Sequence, residues 1–428
     1  MSNLSDYLKS GAAGVVSVAD ATAINIDVDE NVSLTNNLTV AGSIVEQGGV
    51  LKQNLLTNSG FEIWSNSTVQ NLHNLPDSTT EVSGTTCTST AHDLVAGKLV
   101  ADGVGDVFAV VSITNDDVFE VHATGADSGS QWKEMQPGCI AANTLGPDGW
   151  SKTPTLDLWR QHEDTTYTKD GSFYSVKAQK GVDTGENLKW LTVANNKEHL
   201  ARFRGRTVTI GCWVYSVSAS DNVRLRMYYG TGNAWSSYAG ADAWEWLEVT
   251  YTLSDDPAVT SQFSFWIDFG GDALDIAYIS QPMLVFGSSI GEGNYTRPQG
   301  EVIIFEENIR SAKLDNTDNH SDESKTALNI EADTNGKIGK GAAAFYIRTG
   351  INDVASAAAT STGGLYLFGH ASVNDVRHYC AGLGNNARSS MSSWVSANVS
   401  GDIEYQIDAT SNNALDIWNF LYQQIKLK

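Results

Sequence analysis

The sequence predicts an all-β protein: a β-sandwich interrupted by a small β insertion, followed by a C-terminal β domain and preceded by a short N-terminal segment. Three observations predict it. Runs such as RTVTIGCWVYSV (206–217), VRLRMYYG (223–230), WLEVTYTL (246–253) and SQFSFWIDFG (261–270) alternate with period two and are rich in β-branched and aromatic residues. Clusters of Gly, Ser, Asn and Asp separate such runs at intervals of about 10–15 residues, the punctuation of a sandwich. Helical periodicity is almost absent beyond the N-terminus.

In chain order, SNLSDYLKSG (2–11) predicts one short helix, capped by Ser2 or Ser5, with Leu4, Tyr7 and Leu8 on one face and Gly11 as its stop. Ile24, Ile26 and Val28 then alternate with Asn25, Asp27 and Asp29. A second alternating stretch, VSLTNNLTVAGSIVEQGG (32–49), carries turn residues at Asn36-Asn37 and Ala41-Gly42. A segment of about fifty residues cannot bury a core alone. Residues 1–52 therefore read either as a flexible leader or as strands that complete a sheet against other chains; the regular alternation favours the second.

Residues 53–298 form the predicted sandwich. Within it, 73–147 has a different character, with HDLVAGKLVADG (92–103), VGDVFAVVSITNDDVFEVHATG (104–125) and WKEMQPGCIA (132–141). It separates FEIWSNST (61–68) from DGWSKTPT (148–155) and reads as an insertion in a surface loop, a place that tolerates one. Residues 299–428 form the predicted C-terminal domain. Its SAKLDNTDNHSDESKTA (311–327) reads as a long exposed loop whose Asp315, Asp318, Asp322 and Glu323 are solvated. Ala344, Tyr346 and Arg348 then alternate with Phe345 and Ile347, Ile403, Tyr405 and Ile407 share a face, and the chain ends on a strand through Leu421, Gln423, Ile425 and Leu427.

Composition narrows function. The 428 residues carry 50 Asp and Glu against 27 Lys and Arg, a net charge of −23. Such a chain is repelled by phosphate backbones, so nucleic acid is excluded as an expected partner, and anionic cell surfaces are disfavoured unless divalent cations intervene. No run of about 18 apolar residues predicts a membrane span. The N-terminus lacks the basic and apolar regions of a secretory signal. Cys87, Cys139, Cys212 and Cys380 are far apart without a CxxC, which predicts buried thiols, with a Cys87–Cys139 bridge as the alternative.

Catalytic patterns are scarce. HExxH, P-loop and GxGxxG strings are missing. GSSIG (287–291) places Ser289 in a nucleophile position, but the GEGNYTRPQG beyond it opposes the helix a nucleophile elbow needs. The histidines at 73, 92, 122, 162, 199, 320, 370 and 378 make no short metal-binding spacing. Fifty acidic residues guarantee chance carboxylate pairs such as Glu163-Asp164, so a glycosidase pair is not implied. The expectation is a protein that is not an enzyme.

Five stretches in order resemble jelly-roll carbohydrate-binding modules: NLLTNSGFEIWSNS (54–67) as the opening strand, GSFYSVKAQ (171–179), LARFRGRTVTIGCWVYS (200–216), AWEWLEVTYTLS (243–254) and DALDIAYISQPMLVFGS (272–288). The flanks, PMLVFGSSIGEGNYTRPQGEV (282–302), GKIGKGAAAFYIRTGINDVASAAA (336–359), VSANVSGDIEYQIDATSNNALDIW (395–418) and NVSLTNNLTVAGSI (31–44), are similar to bacteriophage tail-fibre and other virion structural proteins.

The resemblance implies a virion protein, homotrimeric, attached to other virion proteins through residues 1–52 and presenting a jelly roll that adheres to host-surface glycan. It implies no cofactor beyond a structural calcium near Glu62 and Asp275; the same residues also read as a surface glutamate and a turn aspartate. Calcium wants six to eight oxygens, of which sequence shows only part. For the glycan, flat rings packing on sugar C–H faces are expected from Trp159, Trp190, Tyr228, Trp235, Tyr238 and Trp244. Trp235 and Tyr238 lead, in what reads as a Gly/Ser/Asn/Ala loop. Trp213, Trp246 and Trp266 sit in alternating strands and are expected in the core. The rival readings are a non-binding head-fibre, decoration or tail component, a polysaccharide depolymerase, and a secreted adhesin, which the missing signal disfavours.

Overall fold

In the computed structural model the period-two runs become antiparallel sheets. The structure describes residues 24–26, 32–34 and 53–428, except 141–143, 163–165, 183–184, 192–199, 218–221, 230–231, 256–262, 299, 354–361, 370–375, 382–387 and 410–414. The predicted helix at 2–11, the turns at 36–37 and 41–42, and the Glu163-Asp164 pair lie outside the described residues. The chain divides into two compact units, Met1–Leu51 and Lys52–Lys428. In the first, β1 (Ile24–Ile26) pairs antiparallel with β2 (Val32–Leu34).

The second unit opens with the insertion: β3 (Thr68–Asn74), β4 (Glu81–Ser83), β5 (Thr86–Thr88), β6 (Leu99–Ala101), β7 (Val107–Asn115), β8 (Val118–Val121) and β9 (Lys133–Cys139). It has its own core of Leu75, Cys87, Val100, Phe108, Phe119 and Trp132. It does not stand apart from the sandwich. The sandwich strand β11 (Asp157–Gln161) pairs with β9 through Leu158↔Cys139 and Trp159↔Gly138, so the insertion extends the sandwich's sheet. An exposed strand edge offers unpaired N–H and C=O groups, and β9 satisfies them.

The sandwich proper adds β10 (Trp150–Lys152), β12 (Ser175–Gln179), β13 (Glu186–Leu191), β14 (Thr207–Ser216), β15 (Val223–Tyr229), β16 (Gly232–Tyr238), β17 (Trp244–Thr252), β18 (Phe263–Phe269) and β19 (Ile276–Phe286). One sheet runs β17-β14-β19-β12-β11 and on into the insertion. The other is five-stranded, β10-β13-β18-β15-β16. Alternation decides the faces. Val208, Ile210, Cys212 and Val214 from the first sheet meet Leu188, Leu225, Met227, Phe265 and Ile267 from the second in one core. On the first sheet's outer side Thr209 and Thr250 share a cross-strand hydroxyl contact at 2.8 Å. Cys87, Cys139 and Cys212 are buried free thiols, and burial pushes each up to about 12 or beyond.

The C-terminal part contains β20 (Val302–Arg310), β21 (Thr317–His320), β22 (Glu323–Leu328), α1 (Ile330–Asp333), β23 (Ala342–Asp353), β24 (Thr362–Phe368), β25 (Val376–Ala381), β26 (Arg388–Ser396), β27 (Ile403–Ala409) and β28 (Leu415–Leu427). The orders β20-β28-β23-β26 and β22-β27-β24-β25 make two sheets around Phe345, Ile347, Ile403, Tyr405, Ile407 and Ile425. The stretch 311–327 is not an exposed loop. It supplies β21 and part of β22, because its acids have partners: Asp315 pairs with Arg310 and accepts from the Phe420 N–H at 2.6 Å, Glu323 pairs with His320, and Asp322 accepts from the Ala409 N–H.

The opening segment 54–67 is irregular rather than a strand, since its polar groups bond across the unit. Asn54 Oδ1 accepts from the Leu284 N–H at 3.1 Å. Asp148 accepts from Ser65 N–H, Ser65 Oγ–H and the Glu306 N–H. Ile63 bridges to Ile338 and lies in the C-terminal core. Arg160 reaches Glu331 at 3.3 Å with both side chains buried, and Tyr174 donates to the same carboxylate at 2.5 Å. These contacts tie the sandwich to the C-terminal part within one compact unit.

Candidate functional site

The outward face of the five-stranded sheet gathers side chains that alternation pushes away from the core. In β15, Val223, Leu225 and Met227 are buried, so Arg224, Arg226 and Tyr228 face out. The register sets their neighbours. Arg226 lies opposite Trp266 of β18 and Trp235 of β16, and Arg224 lies opposite Asp268 and Tyr238. Lys189 of β13 lies opposite Trp266 on the far side.

The result is an interleaved ladder of rings and cations. The Arg224 guanidinium carbon lies 3.7 Å from the Trp235 ring centroid and 4.7 Å from that of Tyr238. Arg226 lies 4.7 Å from Trp235 and 4.3 Å from Trp266. Lys189 Nζ lies 5.2 Å from Trp266, and Tyr228 leans on that same ring at 6.1 Å. Such cation–π contacts stabilise by about 0.5–1 kcal/mol each at exposed positions and hold the rings upright. Arg226 Nε also donates to Asn233 Oδ1 at 2.8 Å. Trp235 remains 39% exposed. The carboxyl of Asp268 is pushed up to about 6 by burial, against the lowering pull of Arg226 and Arg224.

Trp235 and Tyr238 are on this face, but on a strand and not in a loop. Trp190 is corrected: it is 8% exposed and packs edge-on against Phe263 inside the core. Trp159 and Trp244 belong to the outer side of the other sheet, at the two ends of one cross-strand row, Trp159–Lys177–Tyr278–Tyr215–Trp244. Gly138 opposite Trp159 makes room for the indole, since a Cβ there would lie 2.8 Å from the ring. This row is partly roofed. Tyr167 stacks on Tyr278 at 4.2 Å, Trp244 Nε1 donates to the Thr166 carbonyl at 2.9 Å, and Lys169 lies over Trp213.

Trp266, expected in the core, is on the open face instead, because Phe265 and Ile267 are the residues of β18 that point inward. Arg224, Arg226, Lys189 and Asp268 were missed. The signal was present: VRLRMYY places Arg224, Arg226 and Tyr228 on one side with period two, and ENLKWL places Lys189 opposite Leu188 and Trp190.

Glu62 and Asp275 do not fit a shared calcium. Glu62 is buried and ion-paired with Arg297, whose guanidinium supplies the positive charge a cation would bring. Its Oε2 has no hydrogen-bond partner among the described residues, and burial pushes its carboxyl upward. Asp275 closes its own turn by accepting from the Asp272 N–H at 2.7 Å. Among the described residues no group of three or more His, Cys, Asp or Glu is placed to hold a metal. At 287–291, no helix follows Ser289, and Glu248 accepts from the Ile290 and Gly291 N–H groups. A cavity of about 210 Å³ lined by Gly97, Val110, Glu331, Lys340 and Asp402 shares no residue with the ladder. No helix among the described residues is long and apolar enough to cross a membrane.

No family model and no curated protein matches the sequence. Among solved structures, the chain is similar to the CBM22-1 xylan-binding domain of Paenibacillus barcinonensis Xyn10C, at 12% identity and TM-score 0.26, over 35% of this chain and 99% of that one. It is similar to the C-terminal family 22 carbohydrate-binding module of Clostridium thermocellum Xyn10B, at 11% identity and TM-score 0.26, over 34% and 89%. It is also similar to the enzymatically active domain of bacteriophage CBA120 tailspike protein 4, at 7% identity and TM-score 0.25, over 34% and 22%. Likenesses this distant carry no functional argument.

Proposed function

We propose that the protein is a glycan-binding bacteriophage fibre, holding its sandwich toward the host surface. The observation that carries the glycan reading is the open face of the five-stranded sheet. Trp235 offers a partly exposed ring to a sugar's C–H face. Arg224, Arg226 and Asn233 beside it, with Asp268 opposite Arg224 on the same face, supply donors and acceptors for hydroxyl groups. The virion part of the reading rests on the sequence resemblance of residues 31–44, 282–302, 336–359 and 395–418. Residues 1–52 would join the particle and other copies of the chain, as a homotrimer. Several weak sites on one particle then suffice for adhesion, because linked sites raise avidity without new contacts. Binding without turnover is proposed, since the ladder residues bring one carboxylate, Asp268, where a glycosidase uses two across a cleft.

The test is titration of the full chain against a broad panel of oligosaccharides, with Trp235→Ala alongside. Binding by the native chain that falls at least tenfold in the variant supports the reading. No binding across the panel overturns it and leaves a structural virion role. Release of reducing sugar would replace adhesion by depolymerisation.

A further inference from the structure

We infer that the glycan taken by this face is acidic, carrying carboxylate or sulfate groups; this deepens the glycan reading above and rests on it. The whole chain has nearly two acids for each base, yet the ladder brings Lys189, Arg224 and Arg226 to one sheet face, where Asp268, opposite Arg224, is the one carboxylate of the ladder. None of the three cations forms a salt bridge among the described residues. They are ordered instead by rings. Arg224 sits between Tyr238 and Trp235, Arg226 between Trp235 and Trp266, and Lys189 beyond Trp266.

A guanidinium stacked on an aromatic face keeps its in-plane N–H groups directed outward, where they match a carboxylate or sulfate bidentately. Holding the side chain beforehand lowers the entropy cost of that contact. A neutral sugar uses the ring edges and hydroxyl partners but gives these charges nothing to neutralise. A single-stranded nucleic acid is the other polyanion that favours rings and cations. Against it, the chain as a whole carries a net charge of −23 and repels a long phosphate backbone.

The experiment uses the full chain and matched ligands: oligogalacturonate, oligomannuronate and hyaluronan oligosaccharides, each with its carboxyl-reduced counterpart, and oligo(dT), by calorimetric titration at low and high salt. The expected result is that at least one acidic oligosaccharide binds tenfold or more tightly than its reduced form, with affinity falling as salt rises. Arg224→Gln/Arg226→Gln should abolish that preference while Arg224→Lys/Arg226→Lys retains part of it, with a native-like cooperative thermal unfolding transition as the folding control. A reduced or neutral oligosaccharide that binds as tightly as any acidic one overturns the inference and leaves the glycan reading standing. No binding to any saccharide overturns both. Oligo(dT) binding as tight as the best acidic saccharide also overturns it.

Discussion

The guanidinium of Arg224 lies 3.7 Å from the centroid of the Trp235 ring, across the pairing between β15 and the sheet's edge strand β16. This contact keeps an exposed indole standing on an open sheet face, whereas the candidate Trp190 is buried in the core and Trp244 is held under Thr166. It also separates binding from stability, because the ring owes little of its position to the core.

Trp235→Ala is therefore expected to cost about 1–2 kcal/mol of stability, the scale of its two cation–π contacts with Arg224 and Arg226. Glycan affinity should fall at least tenfold. Thermal unfolding and titration of the same preparation check both; a large drop in melting temperature would show that the ring is structural.

Trp190→Ala is the contrasting variant. Its ring is 8% exposed in the sandwich core, so truncation leaves a cavity and should cost about 3–5 kcal/mol. Chemical denaturation measures this. A mild effect, with lost glycan binding, would return Trp190 to the ligand face.

Glycan binding should depend on pH through Asp268, whose carboxyl is held up to about 6. Arg224 and Arg226 face it from β15, and its partners across the pairings are the neutral Asn187 on β13 and Tyr238 beyond Arg224. Between pH 7.5 and 5 Asp268 gains a proton and the face becomes more positive, while a uronate ligand stays ionised. Affinity for an acidic oligosaccharide should rise several-fold over that interval, and Asp268→Asn should remove the dependence. A flat native profile would discard Asp268 as the titrating group.

Stability should fall as pH rises from about 5 to 7.5. Asp268 and Asp402 are raised from 3.8 to about 6, and Glu301 from 4.5 to about 7, in each case chiefly by burial. The folded state thus holds more protons than the unfolded state between about pH 4 and 7, so raising pH through this window favours unfolding. Glu62, Asp148 and Asp333 are raised by burial as well and add to this trend; buried His122 and His378, lowered from 6.5, oppose it below about pH 6.5, and Glu248 and Asp77, lowered carboxyls, oppose it only below about pH 4.5. A melting temperature higher at pH 7.5 than at 5.5 would contradict this.

Glu331→Ala should destabilise the second unit by about 3–5 kcal/mol, because it leaves the Arg160 charge buried without its carboxylate and removes the acceptor of the Tyr174 O–H. Denaturation should stay a single transition if the sandwich and C-terminal part unfold together; two transitions would show that they are separable.

The strands were legible because alternation is local. The runs at 206–217, 223–230, 246–253 and 261–270 became β14, β15, β17 and β18 with small boundary changes. Parity along a strand also told which residues share a side, so the grouping of Arg224, Arg226 and Tyr228 was available in the sequence. Parity does not say which side is covered. That depends on where a second sheet or a loop packs, which is why Trp190 faces the core, Trp244 lies beside the 166–170 loop, and Trp235 stays open. Polar partners were hidden for the same reason: Asp315 and Asp322 read as solvated acids, and Glu62 as a calcium ligand or a surface glutamate, until Phe420, Ala409 and Arg297 were brought to them from distant parts of the chain. Net charge is a sum without coordinates. The sequence by itself determined an acidic, all-β chain and the side each residue takes along its strand. Only the tertiary structure decided that three of its few cations meet on one open face, because cross-strand register, set by packing and hydrogen bonding far along the chain, places them there.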